Sequence, residues 1–177
     1  MYQKSPLLFL IIVSTISALL CLGVSLYNSI TYDREVEGFL KQAADANTTE
    51  LAEQKIAQAI DGMDARNLCN KVGDAFPTCS SAIFYDTPAT DIGYWRTNIE
   101  ATYKDLASMD DDDRQDHLTE SNQLMKVRET LLDAGDGGDE VTSPPSISNY
   151  PIQGLMFWWG LISFLITCGG FIVYPLK

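Results

Sequence analysis

An all-α architecture is expected of this chain: two transmembrane helices flanking a small extracytoplasmic bundle of about four helices. Three observations lead there. Pro6 to Tyr27 and Ile147 to Leu176 contain no charged residue, while all 24 acids lie between Asp33 and Glu140. Each apolar run reaches the roughly 20 residues needed to cross a bilayer core of about 30 Å. Between them, apolar residues recur at three- and four-residue steps, with no alternating strand pattern of useful length.

The chain has 177 residues and a net charge of −12. Ten basic side chains against 24 acidic ones leave the middle segment at −14, and Lys4 and Lys177 add +2 outside it. A mean hydropathy of −0.03 therefore averages two extremes. The acid excess argues against a nucleic-acid binder, which needs a basic face to displace phosphate counterions. The length excludes a TIM barrel and a two-domain cofactor enzyme.

In order along the chain, residues 1–6 read as a short cytoplasmic N-terminus and 7–28 as the first transmembrane helix. Its apolar stretch exceeds a usual signal-peptide core, and no A-x-A-like site follows, so an uncleaved anchor is expected. Cys21 raises a lipoprotein reading, but Leu20 before it is not small. Residues 29–134 read as an acidic extracytoplasmic domain, 135–151 as a Gly/Asp/Pro linker, 152–174 as the second transmembrane helix, and 175–177 as a short cytoplasmic end. The terminal positive charges favour both ends inside. A bacterial inner membrane with a periplasmic domain is the expected setting.

No breaker separates the first span from Ile30–Asp45, so the membrane helix continues outward as one rod. Asn47-Thr48-Thr49 reads as a helix start, with Glu50 and Glu53 in the first turn and Leu51, Ile56, Ile60 and Met63 on one face. Asp86 to Asp91 starts another helix carrying Ile92, Trp95, Ile99, Thr102, Tyr103 and Leu106. Asp110–Asp113 precedes a further one, with Leu118, Leu124, Met125, Val127, Leu131 and Leu132 as its apolar positions.

Four cysteines are present. Cys21 and Cys168 lie within the spans as small apolar packing residues. Cys69 and Cys79, ten positions apart near Asn70, Gly73 and Pro77, suit a local disulfide in an oxidising compartment. Free thiols remain the alternative. The spans carry small residues at helical steps: Ser14, Ser17, Ala18, Cys21 and Ser25 on the first, and Gly160, Ser163, Thr167 and Gly170 on the second. Small faces let helices approach closely, either on each other or on another membrane protein. Trp158 and Trp159 near the loop-side boundary and Tyr174 near the other read as interface aromatics.

Catalytic signals are sparse. The single histidine, His117, sits on a polar stretch and reads as a surface residue. No H-E-x-x-H, P-loop, G-x-G-x-x-G or G-x-S-x-G motif occurs. The acidic stretches Asp110–Asp113 and Asp133–Glu140 lack the EF-hand order and read as solvated loops rather than calcium sites. Tyr94, Trp95 and Tyr103 at helical spacing read as core with one exposed ring. No cofactor, metal or catalytic residue is expected.

The segments Asp45–Ala52 (DANTTELA), Phe84–Pro88 (FYDTP) and Asp91–Trp95 (DIGYW) resemble a recurrent pattern of uncharacterised bacterial, cyanobacterial and phage proteins. These place a small helical domain after a membrane anchor. The resemblance covers Tyr32 to Leu106 and carries no catalytic motif. The pattern has Asn-Leu-Thr where this chain has Asn67-Leu68-Cys69, at the proposed staple.

The function expected from these features is a non-catalytic accessory or assembly subunit of a larger integral membrane complex, with the acidic domain making protein contacts. The alternative is a periplasmic ligand-sensing or regulatory protein that signals through partner membrane helices.

Overall fold

The computed structural model describes residues 4–69, 79–135 and 138–173. Asn70, Gly73, Pro77 and Tyr174, on which the sequence reading also drew, lie outside them. The described chain is mainly helical. α1 (Lys4–Tyr32) passes through a π-helical turn, Asp33–Glu37, into α2 (Gly38–Ala44) without a break. This rod bears out the continuous helix expected from the absence of a breaker. Its Leu8–Ala44 portion is long and apolar enough to cross a membrane, with a mean hydropathy of 2.5 over its most apolar window.

The domain adds α3 (Thr49–Ala65), α4 (Ile92–Ala107), a short α5 (Asp111–Gln115) and α6 (His117–Leu131). Their starts follow from short polar side chains that accept orphan backbone N–H groups. Thr48 Oγ1 accepts from the Leu51 amide at 3.3 Å, and Asp91 Oδ1 from the Tyr94 amide at 3.0 Å. Asp110 Oδ1 accepts from the Asp113 amide at 2.8 Å, so the aspartate run is a helix start rather than a loose loop. α3 ends as a Schellman motif: the Leu68 amide reaches Met63 O at 2.9 Å and the Asn67 amide reaches Asp64 O at 2.9 Å. Asn67 takes the left-handed conformation, φ 52°, that this ending requires.

The core lies between α2, α3, α4 and α6. It contains Val36, Leu40, Ala52, Ile56, Ala59, Met63, Ile99, Leu106, Val127 and Leu131. The buried stripe of α3 is Ala52–Ile56–Ala59–Met63, and Leu51, expected on that face, is exposed. Leu118 and Met125 of α6 are also exposed, because only the last turns of that helix reach the core. α3 approaches the π-helical turn at Gly62, where an added Cβ would collide with the Glu35 carbonyl.

The expected linker is partly ordered into a hairpin. β1 (Leu132–Gly135) pairs antiparallel with β2 (Gly138–Val141), with Leu132 opposite Val141 and Gly135 opposite Gly138. Asp136 and Gly137, between the two strands in sequence, lie outside the described residues. Glycine and aspartate composition hid this strand pair, which is too short to alternate visibly. A 3₁₀ turn, Ile147–Asn149, then leads to α7 (Gln153–Val173). α7 is apolar, but Gln153–Gly169, its apolar part with described side chains, is shorter than the α1 rod.

Candidate functional site: the seam between α1 and α7

α1 and α7 pack along each other in opposite directions. Their contact is built from the small polar residues singled out in the sequence. Ser14 is buried and its hydroxyl donates to Ser163 O at 2.6 Å. Thr167 Oγ1 donates to Ser14 Oγ at 3.2 Å and to Ser163 O at 2.9 Å. Trp159 Nε1 donates to Ser17 Oγ at 2.6 Å. At the domain end, Asn149 Nδ2 donates to Ser25 Oγ at 2.9 Å, and Asn28 Nδ2 to Asn149 Oδ1 at 3.2 Å.

Hydroxyl and amide bonds of this kind join apolar helices without placing a charge between them. The seam therefore uses Ser14, Ser17, Ser25, Ser163 and Thr167 inside the chain, the packing use of the two weighed from sequence. Ala18, Cys21 and Gly160 lie beside it. With Leu22, Met156 and Phe164 they line a cavity of about 470 Å³. Ser146, Asn149, Gln153 and Ile83 line it as well. Gly170 falls in the last turn of α7.

Trp159 is level with Ser17 of α1. Trp158 stacks edge-on with Phe157, centroids 5.6 Å apart, and Phe84 from the domain meets both rings. Asn28, Asn149 and Gln153 escaped sequence reasoning, and Phe84 entered it only through the FYDTP segment. Asn149 and Gln153 lie in a turn and at a helix start, where no periodicity marks a partner, and Asn28 is a lone amide within the α1 rod.

Cys69 and Cys79 sit at disulfide distance, with Cα atoms 5.9 Å apart. The segment beyond Cys79 is tied back to α4: the Ile92 amide donates to Cys79 O at 2.9 Å, and Ser80 bridges Asp91. Arg96 organises the other side. Its guanidinium donates to Leu68 O at 2.8 Å, to Glu100 at 2.9 Å, and to Asp64. Burial opposes the charge of Arg96, but Glu100 and Asp64 more than offset it and raise its pKa further. The i,i+4 spacing with Glu100 looks like a surface pair in sequence; only the fold brings Leu68 O to it.

Elsewhere, Trp95 is buried and its indole donates to Thr142 O, while Tyr94 is exposed and Tyr103 packs at the core edge. His117 is exposed at the start of α6. The Asp116 carboxyl, capping that helix, is held below its ordinary value by hydrogen bonds from the Thr119 hydroxyl and the Leu118 amide. Among the described residues, no group of three or more His, Cys, Asp or Glu is placed to hold a metal ion.

No family model, curated protein or solved structure matches this chain.

Proposed function

We propose that this chain is a non-catalytic accessory or assembly subunit of a larger integral membrane complex. In this reading α1 and α7 both cross the bilayer, the termini face the cytoplasm, and the acidic domain stands outside, stapled by a Cys69–Cys79 disulfide in an oxidising compartment. The observation that carries it is the division of α1 into two faces. One face, Ser14–Ser17–Ser25, is engaged with α7 and with Asn149 in the turn before it. The other presents large apolar side chains from Leu8 to Ile30. Two helices leave such outer faces free for lipid or for the helices of a partner.

The test is purification of the tagged full chain in mild detergent, followed by native mass measurement. A larger membrane partner in fixed ratio is the expected result. A small self-oligomer with no partner overturns the reading. Because Ser17 of α1 and Ser163 of α7 are both engaged across the seam, leucine at either position tests the seam, and Leu19→Trp or Leu20→Trp tests outward docking.

The unbroken rod from α1 through α2 favours a second reading, regulation by ligand sensing, because a movement of the domain core reaches α1 directly. A ligand that binds only the folded form raises the melting temperature of the full chain by mass action. Absence of any such ligand in a broad thermal screen counts against it.

A further inference from the structure

Ser80 to Tyr85 (SSAIFY) contains no charged residue, and it ends on two large exposed rings. Phe84 is 67% exposed and Tyr85 76%. Such side chains are normally covered when they adjoin other apolar surface. Here the adjoining surface is α7. Phe84 meets Phe157 edge-on at 5.2 Å and Trp158 at 6.0 Å between centroids. Ile83 lines the cavity between α1 and α7, together with Cys21 and Gly160.

The seam sets the level of this contact. Asn149 pairs with Ser25 and Asn28, Trp159 with Ser17, and Ser163 with Ser14. Phe157 and Trp158 therefore lie past the Asn28–Asn149 pair, on the side of the uncharged runs. Phe84, from the domain, touches both rings. The start of the segment is held against protein: Gln153 Nε2 donates to Ser80 O at 3.1 Å, and the Ala82 amide donates to Ser80 Oγ at 3.0 Å. The rings project from this anchored start beside α7.

We infer that Phe84 and Tyr85 form a third membrane contact of this chain, their rings entering the lipid interface beside Phe157 and Trp158. The partner is the lipid surface itself. Aromatic rings with one polar edge favour that boundary, where the tyrosine hydroxyl keeps its water. The acidic domain is thereby pinned to the bilayer at one loop as well as through its two helices. The inference rests on α7 lying in a bilayer.

Hydroxyl-radical footprinting tests it on the full chain in phosphatidylcholine nanodiscs, with each residue's rate normalised to the unfolded chain. Tyr94, 64% exposed, is the matched residue on the water side. Phe164, 59% exposed on α7, is the matched residue in lipid. The expected result is severalfold slower labelling of Tyr85 than Tyr94, with Phe84 as protected as Phe164. Tyr85 labelled as fast as Tyr94 while Phe164 stays protected overturns the loop contact and leaves the bilayer reading intact. Phe164 labelled as fast as Tyr94 overturns both. Protection of Phe84 and Tyr85 in native membranes but not in nanodiscs of the pure chain assigns the patch to a protein partner and overturns the lipid contact.

Discussion

Arg96 ties together α3, the turn that follows it and its own helix α4, through Asp64, Leu68 O and Glu100. Arg96→Met leaves the Leu68 carbonyl buried without its donor, a loss of about 1–3 kcal/mol. Denaturant unfolding of the variant reads it directly. Arg96→Lys recovers only part, because an ammonium cannot fork to three acceptors. Gly62 is decided by two opposed effects. Alanine gains about 1 kcal/mol as a better helix former. Its Cβ meets the backbone of the π-helical turn, an overpacking that costs about 1–3 kcal/mol. The backbone cannot yield as a side chain does, so Gly62→Ala lowers the melting temperature, whereas exposed helix sites gain from the same change. Asp116 has a depressed folded pKa, so its contribution is present above the unfolded value of 3.8 and fades as pH falls through the lower folded value. The Leu118 amide chemical shift, followed by acid titration, has its midpoint below 3.8 if that cap is intact.

At the level of elements, the starts of α3 and α4 were readable because Thr48 and Asp91 are short polar residues set before an apolar period, whereas Asp110, in a run of aspartates with no apolar period behind it, was not. The α1–α7 contact residues were readable for a similar reason, since a serine stripe in an apolar helix has few other uses. What periodicity did not reveal is which side of a helix the fold would choose. Leu51, Leu118 and Met125 fit an apolar pattern, yet the core took the alanine-lined side of α3 and the end of α6. Small residues allow closer approach than large ones, and α3 sits close enough to touch the Glu35 backbone. The seam makes a quantitative expectation. Ser14→Ala removes the donor to Ser163 O and weakens the helix pair by about 0.6–2 kcal/mol, the range for such bonds between membrane helices. SDS-titration unfolding in mixed micelles measures it, and an unchanged midpoint assigns the pairing to van der Waals contact alone.

For the whole molecule, the charge map predicted the division into apolar ends and an acidic middle, and the helical class followed from spacing. The hairpin did not follow, because four-residue strands made of Leu132-Asp133-Ala134-Gly135 carry no legible alternation. Nor did the pairing of Trp159 with Ser17, which depends on how far α7 slides along α1. The Cys69–Cys79 pair closes a segment of ten residues. A loop that short stabilises a fold by about 2–3 kcal/mol in the chain-entropy account. Adding a reductant lowers the denaturant midpoint by a corresponding amount, and Cys69→Ser with Cys79→Ser reproduces the loss and makes the protein indifferent to reductant.

The π-helical turn at Asp33–Glu37 sets the angular phase between the apolar half of the rod and the domain half. One residue added to or taken from a helix rotates everything beyond it by roughly 100°. Deleting one residue there relaxes the turn to ordinary helix, yet it swings Ser14, Ser17 and Ser25 away from α7 while Val36 and Leu40 hold the core. The turn works as a spline between two shafts: it fixes which compass bearing of α1 meets its neighbour, at a point far from the neighbour itself.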